Sequence, residues 1–156
     1  MARRAEQTVN EMKCVFPAKS VNEGLARMTV AAFIAQLDPP VNILSELKTA
    51  VSEAVTNAIV HAYPQKSEKN KIVIECRIQE DALHIEVADS GCGIEDTTSA
   101  VQPFFTTLKD EERSGMGFTI MQTFMNGFRL ESEKGKGTAV KMIKRIKVSE
   151  NGGVDA

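Results

Sequence analysis

Two glycine pairs bound the longest irregular stretch of this chain, D89-S-G-C-G93 at its start and R113-S-G-M-G117 at its end. Glycines at 91, 93, 115 and 117 let a backbone come close to a ligand and turn its N–H groups toward anions. The second pair precedes a helical pattern, whose N-terminus offers a phosphate site. Each G-x-G taken alone also reads as a plain turn. Asp89 is open to two readings as well. It is ordinary turn chemistry before glycine, or a buried carboxylate accepting a hydrogen bond from an amino group such as that of adenine. A third feature is the run S52-E-A-V-T-N-A-I-V-H-A-Y63, with Glu53, Asn57 and His61 each four residues from the next. At about 3.6 residues per turn they stack along one helix edge. Leu47, Val51, Ala54, Val55, Ala58 and Ala62 form a separate apolar stripe that faces the core. Alone, that edge is a solvated seam; what else it does depends on what the chain brings to it.

The elements that must position these residues follow from patterning. Met12 to Phe16 reads as a short strand closed by Pro17. S20-V-N-E23 has the form of a capping box, with Ser20 at the N-cap of a helix running to Leu37 and stopping at D38-P-P40. A second helix over about Leu44 to Ala62 carries the polar edge. K71-I-V-I-E-C-R-I78 and A82-L-H-I-E-V-A88 alternate apolar and polar residues around a turn at Glu80 and Asp81, which is a hairpin with one face on the core. The region from Asp89 to Gly117 is irregular, and loops of that length are commonly lids or binding loops. A helix from Phe118 to Asn126 ends at Gly127, and Phe128–Glu133 with Thr138–Val148 makes a last hairpin around K134-G-K-G137. Strands joined by hairpins and interspersed with helices predict an α+β two-layer sandwich, with helices on one face of a mixed, mostly antiparallel sheet.

Composition narrows the function classes. The 156 residues are read as one domain, 1–156, with about 1–10 and 149–156 as disordered tails. Forty-two per cent hydrophobic and 26% charged residues describe a soluble globular chain. A formal net charge of −2 leaves no basic footprint for nucleic acid. Arg3, Arg4, Lys141, Lys144, Arg145 and Lys147 make the ends locally basic, which reads as a solvated face. No apolar run approaches the roughly 20 residues of a membrane span, and the N-terminal residues lack the apolar core of a secretory signal. Cys14, Cys76 and Cys92 are odd in number and show no C-x-x-C spacing, so reduced thiols and a cytoplasmic location are expected. His61 and His84 are too few and too scattered for a metal cluster.

Four motifs in order carry a resemblance: Glu53-x-x-x-Asn57, D89-x-G-x-G93, G115-x-G117 and G137-Thr138. They resemble the N, G1, G2 and G3 boxes of the ATP-binding (Bergerat-type) fold shared by gyrase, MutL and histidine kinases. The likeness spans about residues 12 to 146. The runs S52–Y63, P103-F-F-T-T107 and E112-R-S-G-M-G-F-T-I-M121 are similar to its serine-kinase branch, the anti-sigma factors, above all those acting on sigma F in spore-forming bacteria. The resemblance implies an ATP/ADP site with Mg²⁺. Asn57 would ligate the metal and Glu53 would act as base for the attacking hydroxyl. Asp89 would hold the adenine amino group with support from Thr138, and Gly91 and Gly93 would shape the pocket floor. Thr106 and Thr107 of the lid, and Ser114, Gly115, Met116 and Gly117, would border the nucleotide, with Arg113 at the γ-phosphate. Where the family pattern has a lysine after the two threonines, this chain has Leu108 and then Lys109, and Ala62 stands where a glycine is common. His61 is assigned a structural role, and Met116, Met121, Met125 and Met142 are read as core and lid filler.

The resemblance further implies a protein serine/threonine kinase that sequesters a sporulation sigma factor. It would also phosphorylate, on serine, the anti-anti-sigma protein that competes for it. A general-stress sigma regulator of the same kind, and a nucleotide-gated binding module without phosphotransfer, stand as alternatives. A homodimer is expected, because M28-T-V-A-A-F-I-A35 is apolar almost all the way round and the first strand is an unpaired edge. Arg27, just before that segment, is a candidate partner contact.

Overall fold

Alternation of side chains builds the sheet. In β2 (Lys71–Gln79) Ile72, Ile74, Cys76 and Ile78 are buried, and in β3 (Ala82–Asp89) Leu83, Ile85 and Val87. Successive strand residues point to opposite faces, so each strand gives one wall to the core and the other to solvent. The computed structural model describes residues 8–101 and 116–146. Within it, β1 (Thr8–Pro17), β4 (Gly127–Glu133) and β5 (Gly137–Arg145) complete a five-stranded sheet in the order β1-β2-β3-β5-β4. Every pairing is antiparallel, the limiting case of the sheet expected.

The helices cover one face. They are α1 (Asn22–Ile34), α2 (Val41–Asn57), a short α3 (Thr97–Ala100) and α4 (Gly117–Phe124). All six residues of the expected stripe on the second helix are buried, and Ala50 and Ile59 join them. All of them but Ala62 meet Ala26, Val30 and Ile34 of α1, Met121 of α4 and the inner wall of the sheet in one core.

Several local expectations change. The first strand begins at Thr8, so residues 8–10 belong to the sheet and not to a tail; a register shift between Thr8 and Asn10 marks where the added pairing starts. The capping box at Ser20 does not form. Glu23 donates its N–H to the Ser20 carbonyl at 3.2 Å, and no side chain caps α1. Asn22 instead ties the entry turn, its side-chain amide donating to the Pro17 carbonyl at 2.9 Å. The helix tightens into a 3-10 turn over Ala35–Leu37, and α2 starts directly after Pro40. Asn57 closes α2, and the next five residues, Ala58–Ala62, form a π turn. Lys144, read as part of a solvated basic end, is only 5% exposed.

Candidate functional site

The polar edge of α2 meets the N-terminus of α4. A Cβ built on Gly117 would stand 3.1 Å from Glu53 Oε2, 3.1 Å from Asn57 Nδ2 and 3.3 Å from Asn57 Oδ1. Any side chain at this position would push on the Glu53 and Asn57 side-chain ends, so glycine lets the α4 backbone come close to them. Met116 is the N-cap of α4, and among the described residues no side chain caps that end, where the first-turn N–H groups have no partner within the helix and can meet an anion. Among the described residues no three His, Cys, Asp or Glu side chains converge as a metal site. An amide oxygen beside a carboxylate still fits a hard cation that takes few protein ligands and fills its shell with water and phosphate oxygens, the habit of Mg²⁺.

The turn after β3 forms the second half. Asp89 Oδ1 accepts N–H bonds from Gly91 at 3.0 Å and from Thr138 at 3.2 Å. With both on Oδ1, Oδ2 is the oxygen left for a ligand's donor. Burial raises the Asp89 carboxyl above the usual range, and the two backbone hydrogen bonds oppose that rise. Thr138 stands across from Asp89 in the β3–β5 register. Its hydroxyl lies 2.7 Å from that of Ser132, which receives the Ile94 N–H at 2.7 Å and sits 3.0 Å from the Gly137 carbonyl. A hydroxyl has one proton and two lone pairs. With the Ser132 proton on Gly137, Thr138 donates to Ser132 and keeps its own lone pairs as acceptors.

The two halves are joined by the π turn. The Ala62 carbonyl accepts the Cys92 N–H at 2.8 Å, and the His61 carbonyl accepts the Cys92 thiol at 3.4 Å. A Cβ on Gly91 would lie 2.2 Å from the Ala62 oxygen, so the loop touches the turn backbone to backbone. On its other side Gly93 lies against the Glu133 carbonyl, 2.1 Å from where its Cβ would be. Gly137, at φ +121°, makes a comparable approach to the Asp89 carbonyl.

The structure thus gathers Glu53, Asn57, Met116 and Gly117 at one end of the site and Asp89, Gly91, Gly93 and Thr138 at the other. Thr106, Thr107, Lys109, Arg113, Ser114 and Gly115 lie outside the described residues. Arg27 is elsewhere: it faces Glu23 at 3.7 Å and lines a groove with Val41, Leu44, Lys48 and Ser52, which none of the other described candidates lines. Two functional residues went unread in the sequence. Tyr63 is buried; its hydroxyl donates to the Lys71 carbonyl at 2.6 Å and accepts the Ser90 N–H at 2.8 Å, fixing the residue after Asp89. Ser132 is the other. The signal for Tyr63 was its being the one tyrosine of the chain, placed where an apolar helix ends.

Gly91→Ala tests the backbone contact. Forcing a methyl group against the Ala62 carbonyl should destabilise the protein by about 1–3 kcal/mol in chemical denaturation and loosen ADP in calorimetry. Gly24→Ala is the control, since its nearest neighbour would be 3.8 Å away. Equal stability of the Gly91 variant and the parent protein would refute the contact.

A profile of the family described as Histidine kinase-like ATPase domain matches residues 16–144. The Anti-sigma F factor of Clostridium botulinum (strain Eklund 17B / Type B) is 52% identical over 139 residues, which cover 89% of this chain and 96% of that protein. The Anti-sigma F factor of Caldanaerobacter subterraneus subsp. tengcongensis is 54% identical over 137 residues, 88% of this chain and 94% of that one. Among solved structures, the RsbU and RsbW domains of a Mycobacterium tuberculosis protein align with a TM-score of 0.64 at 17% identity, over 88% of this chain and 33% of that chain. The catalytic domain of histidine kinase ThkA aligns at 0.53 and 16% identity, over 86% of this chain and 96% of that domain. At such identities these likenesses bear on the fold alone.

Proposed function

This chain belongs to the histidine kinase-like ATPase domain family and, within it, to the anti-sigma F factors, and from that premise we propose that it is a Mg-ATP-dependent protein serine kinase that sequesters a sigma factor of the sigma F type in sporulation and phosphorylates the anti-anti-sigma protein competing for it. The observation that carries the kinase reading is the placement of Glu53 and Asn57 against the uncapped N-terminus of α4. A carboxylate, an amide oxygen and open backbone N–H groups in one place suit phosphoryl transfer, where positioning and electrostatics do most of the work.

In this reading Asp89 Oδ2 receives the adenine amino group and Thr138 supports it as an acceptor. Asn57 offers its oxygen to Mg²⁺, which when bound offsets phosphate charge. Glu53 takes the proton of the antagonist's serine hydroxyl as that oxygen bonds to the γ-phosphorus, and the bond to the β-phosphate oxygen breaks to release ADP. Gly117 would turn its amide to the phosphates, and Ser114, Gly115 and Met116 are assigned to the nucleotide by the motif they share with it. Arg113, Thr106 and Thr107 are assigned to the phosphate end by the motif they belong to. Incubation with labelled ATP and a lysate of sporulating cells should label one small protein on serine. ATP binding with no labelled protein would favour a nucleotide-gated binder.

We assign the protein to the cytoplasm, and no helix among the described residues is long and apolar enough to cross a membrane. It is proposed to act as a homodimer. Leu25 and Met28 of α1 are 53% and 54% exposed, and Val9 and Val15 on the edge strand β1 are 69% and 55% exposed. Apolar side chains beside an unpaired strand edge favour a second copy. Light scattering at micromolar concentration should give about twice 17.1 kDa, and a mass near 17.1 kDa would defeat the dimer. Arg27 is proposed as a partner contact, so Arg27→Ala should weaken sigma or antagonist binding in a titration; unchanged affinity for both would remove it.

A further inference from the structure

Lys144 is a cation at an inward-facing position of β5, in line with Val140 and Met142, and it is nearly inaccessible. A buried ammonium is tolerated only when it is paired and hydrogen-bonded. Its Nζ donates to Glu46 Oε2 of α2 at 2.5 Å and to the carbonyl of Phe124, the last residue of α4. The Phe124 carbonyl is one of those a helix leaves unpaired at its C-terminus, where the helix dipole also favours positive charge. Lys144 is therefore both the cap of α4 and the clasp between α4 and α2.

What that clasp holds in place lies at the other end of the same two helices. Glu46 and Glu53 are seven residues apart on α2, as Gly117 and Phe124 are on α4, so each pair spans roughly 10 Å of helix axis. Phe124 is joined to Glu46 through Lys144, and Gly117 abuts Glu53 and Asn57. The two helices thus run antiparallel as equal struts. Among the described residues the N-terminal end of α4 has no side-chain cap, while its C-terminal exit is tied further to β5: the Asn126 N–H donates to the Ile143 carbonyl at 2.8 Å and the Arg145 N–H to Asn126 Oδ1 at 2.8 Å.

We propose that Lys144 is a positioning residue for the phosphate end of the nucleotide site, setting through Glu46 where the α4 N-terminus stands against Glu53 and Asn57. The proposal rests on the nucleotide reading above. It differs from a purely structural role in one respect. The adenine end is built on Asp89 of β3 and Thr138 of β5 and not on α4 itself, so loss of the clasp should separate affinity for adenosine from affinity for ATP.

The test compares adenosine and Mg-ATP dissociation constants for the parent protein, Lys144→Met, Glu46→Gln and the double variant Lys144→Met/Glu46→Leu, with melting temperatures alongside. A ratio of two affinities is insensitive to any unfolded fraction, because that fraction lowers both alike. Lys144 is the buried member of the pair and Glu46 is partly exposed, and replacing both by apolar residues removes the buried charge without leaving a partner unpaired. The double variant should therefore melt near the parent protein, yet bind ATP about tenfold less tightly relative to adenosine. Lys144→Arg, which keeps the charge, should recover part of the ratio. If Lys144→Met does not fold, Glu46→Gln carries the same comparison. An ATP-to-adenosine ratio unchanged in every folded variant would overturn the proposal. A parent protein that binds neither ligand would instead overturn the nucleotide reading on which it rests.

Discussion

Glu53→Ala is expected to bind ATP and the sigma factor as the parent protein does and yet barely phosphorylate the antagonist. A positioned general base contributes about 10²–10⁴-fold in rate, or roughly 3–5 kcal/mol of barrier. That contribution falls on the hydroxyl that attacks, not on adenine. Asn57→Ala should behave differently. Its oxygen stands beside the same glycine of α4, so losing it should weaken Mg-dependent ATP affinity together with transfer. Phosphate-affinity gels with purified antagonist, read beside ATP titrations with and without Mg²⁺, distinguish the two. Parent-like transfer by Glu53→Ala would remove its catalytic role.

Asp89→Ala should weaken ADP and ATP alike, since adenine is common to both. A hydrogen bond to a charged group is worth about 1.5–3 kcal/mol, which is roughly ten- to a hundred-fold in affinity. The same carboxylate predicts a pH dependence. Burial holds its pKa above the ordinary value in the free protein. Ionising Asp89 therefore costs the unliganded fold stability as pH rises through that pKa. A ligand amino group donating to Oδ2 favours the ionised form and lowers the pKa again. Binding should then release a proton on the acid side, and adenosine affinity should fall as pH drops through the raised pKa. Calorimetry in two buffers of different ionisation enthalpy reads that proton, and Asp89→Asn should abolish it. Unchanged ADP affinity of Asp89→Ala would take the residue out of the pocket.

Much of this was legible because it is periodic. The buried stripe of α2, the hairpin of β2 and β3 and the four boxes follow from spacing or motif alone. What was not legible depended on partners distant in sequence. Lys144 alternates with its neighbours like any surface lysine, and it is Glu46, 98 residues away, and the Phe124 carbonyl that make it a core residue. Ser132 and Tyr63 act on backbone groups of other segments, so their roles cannot be seen before the segments meet. Ser20 and Glu23 have the right types and spacing for a cap. The entry turn satisfies Glu23 with the backbone oxygen of Ser20 instead, and the side-chain exchange never forms. The added pairing of Thr8 to Asn10 has no apolar alternation to reveal it; an adjacent strand edge recruits it.

The π turn at Ala58–Ala62 holds one residue more than an ordinary helix needs to cover the same arc. Deleting a single residue there would let the segment relax to an ordinary helix and leave the groups beyond it facing much as they do now. An added residue has no such outlet, and every group beyond it would rotate by roughly 100° about the axis. The carbonyl that receives Cys92 and the hydroxyl that holds Ser90 would then leave their partners together. Changes of length in this segment are therefore unequal in the two directions. Among variants of this protein that still bind nucleotide, the interval from Asn57 to Tyr63 is expected to admit a one-residue deletion but no insertion.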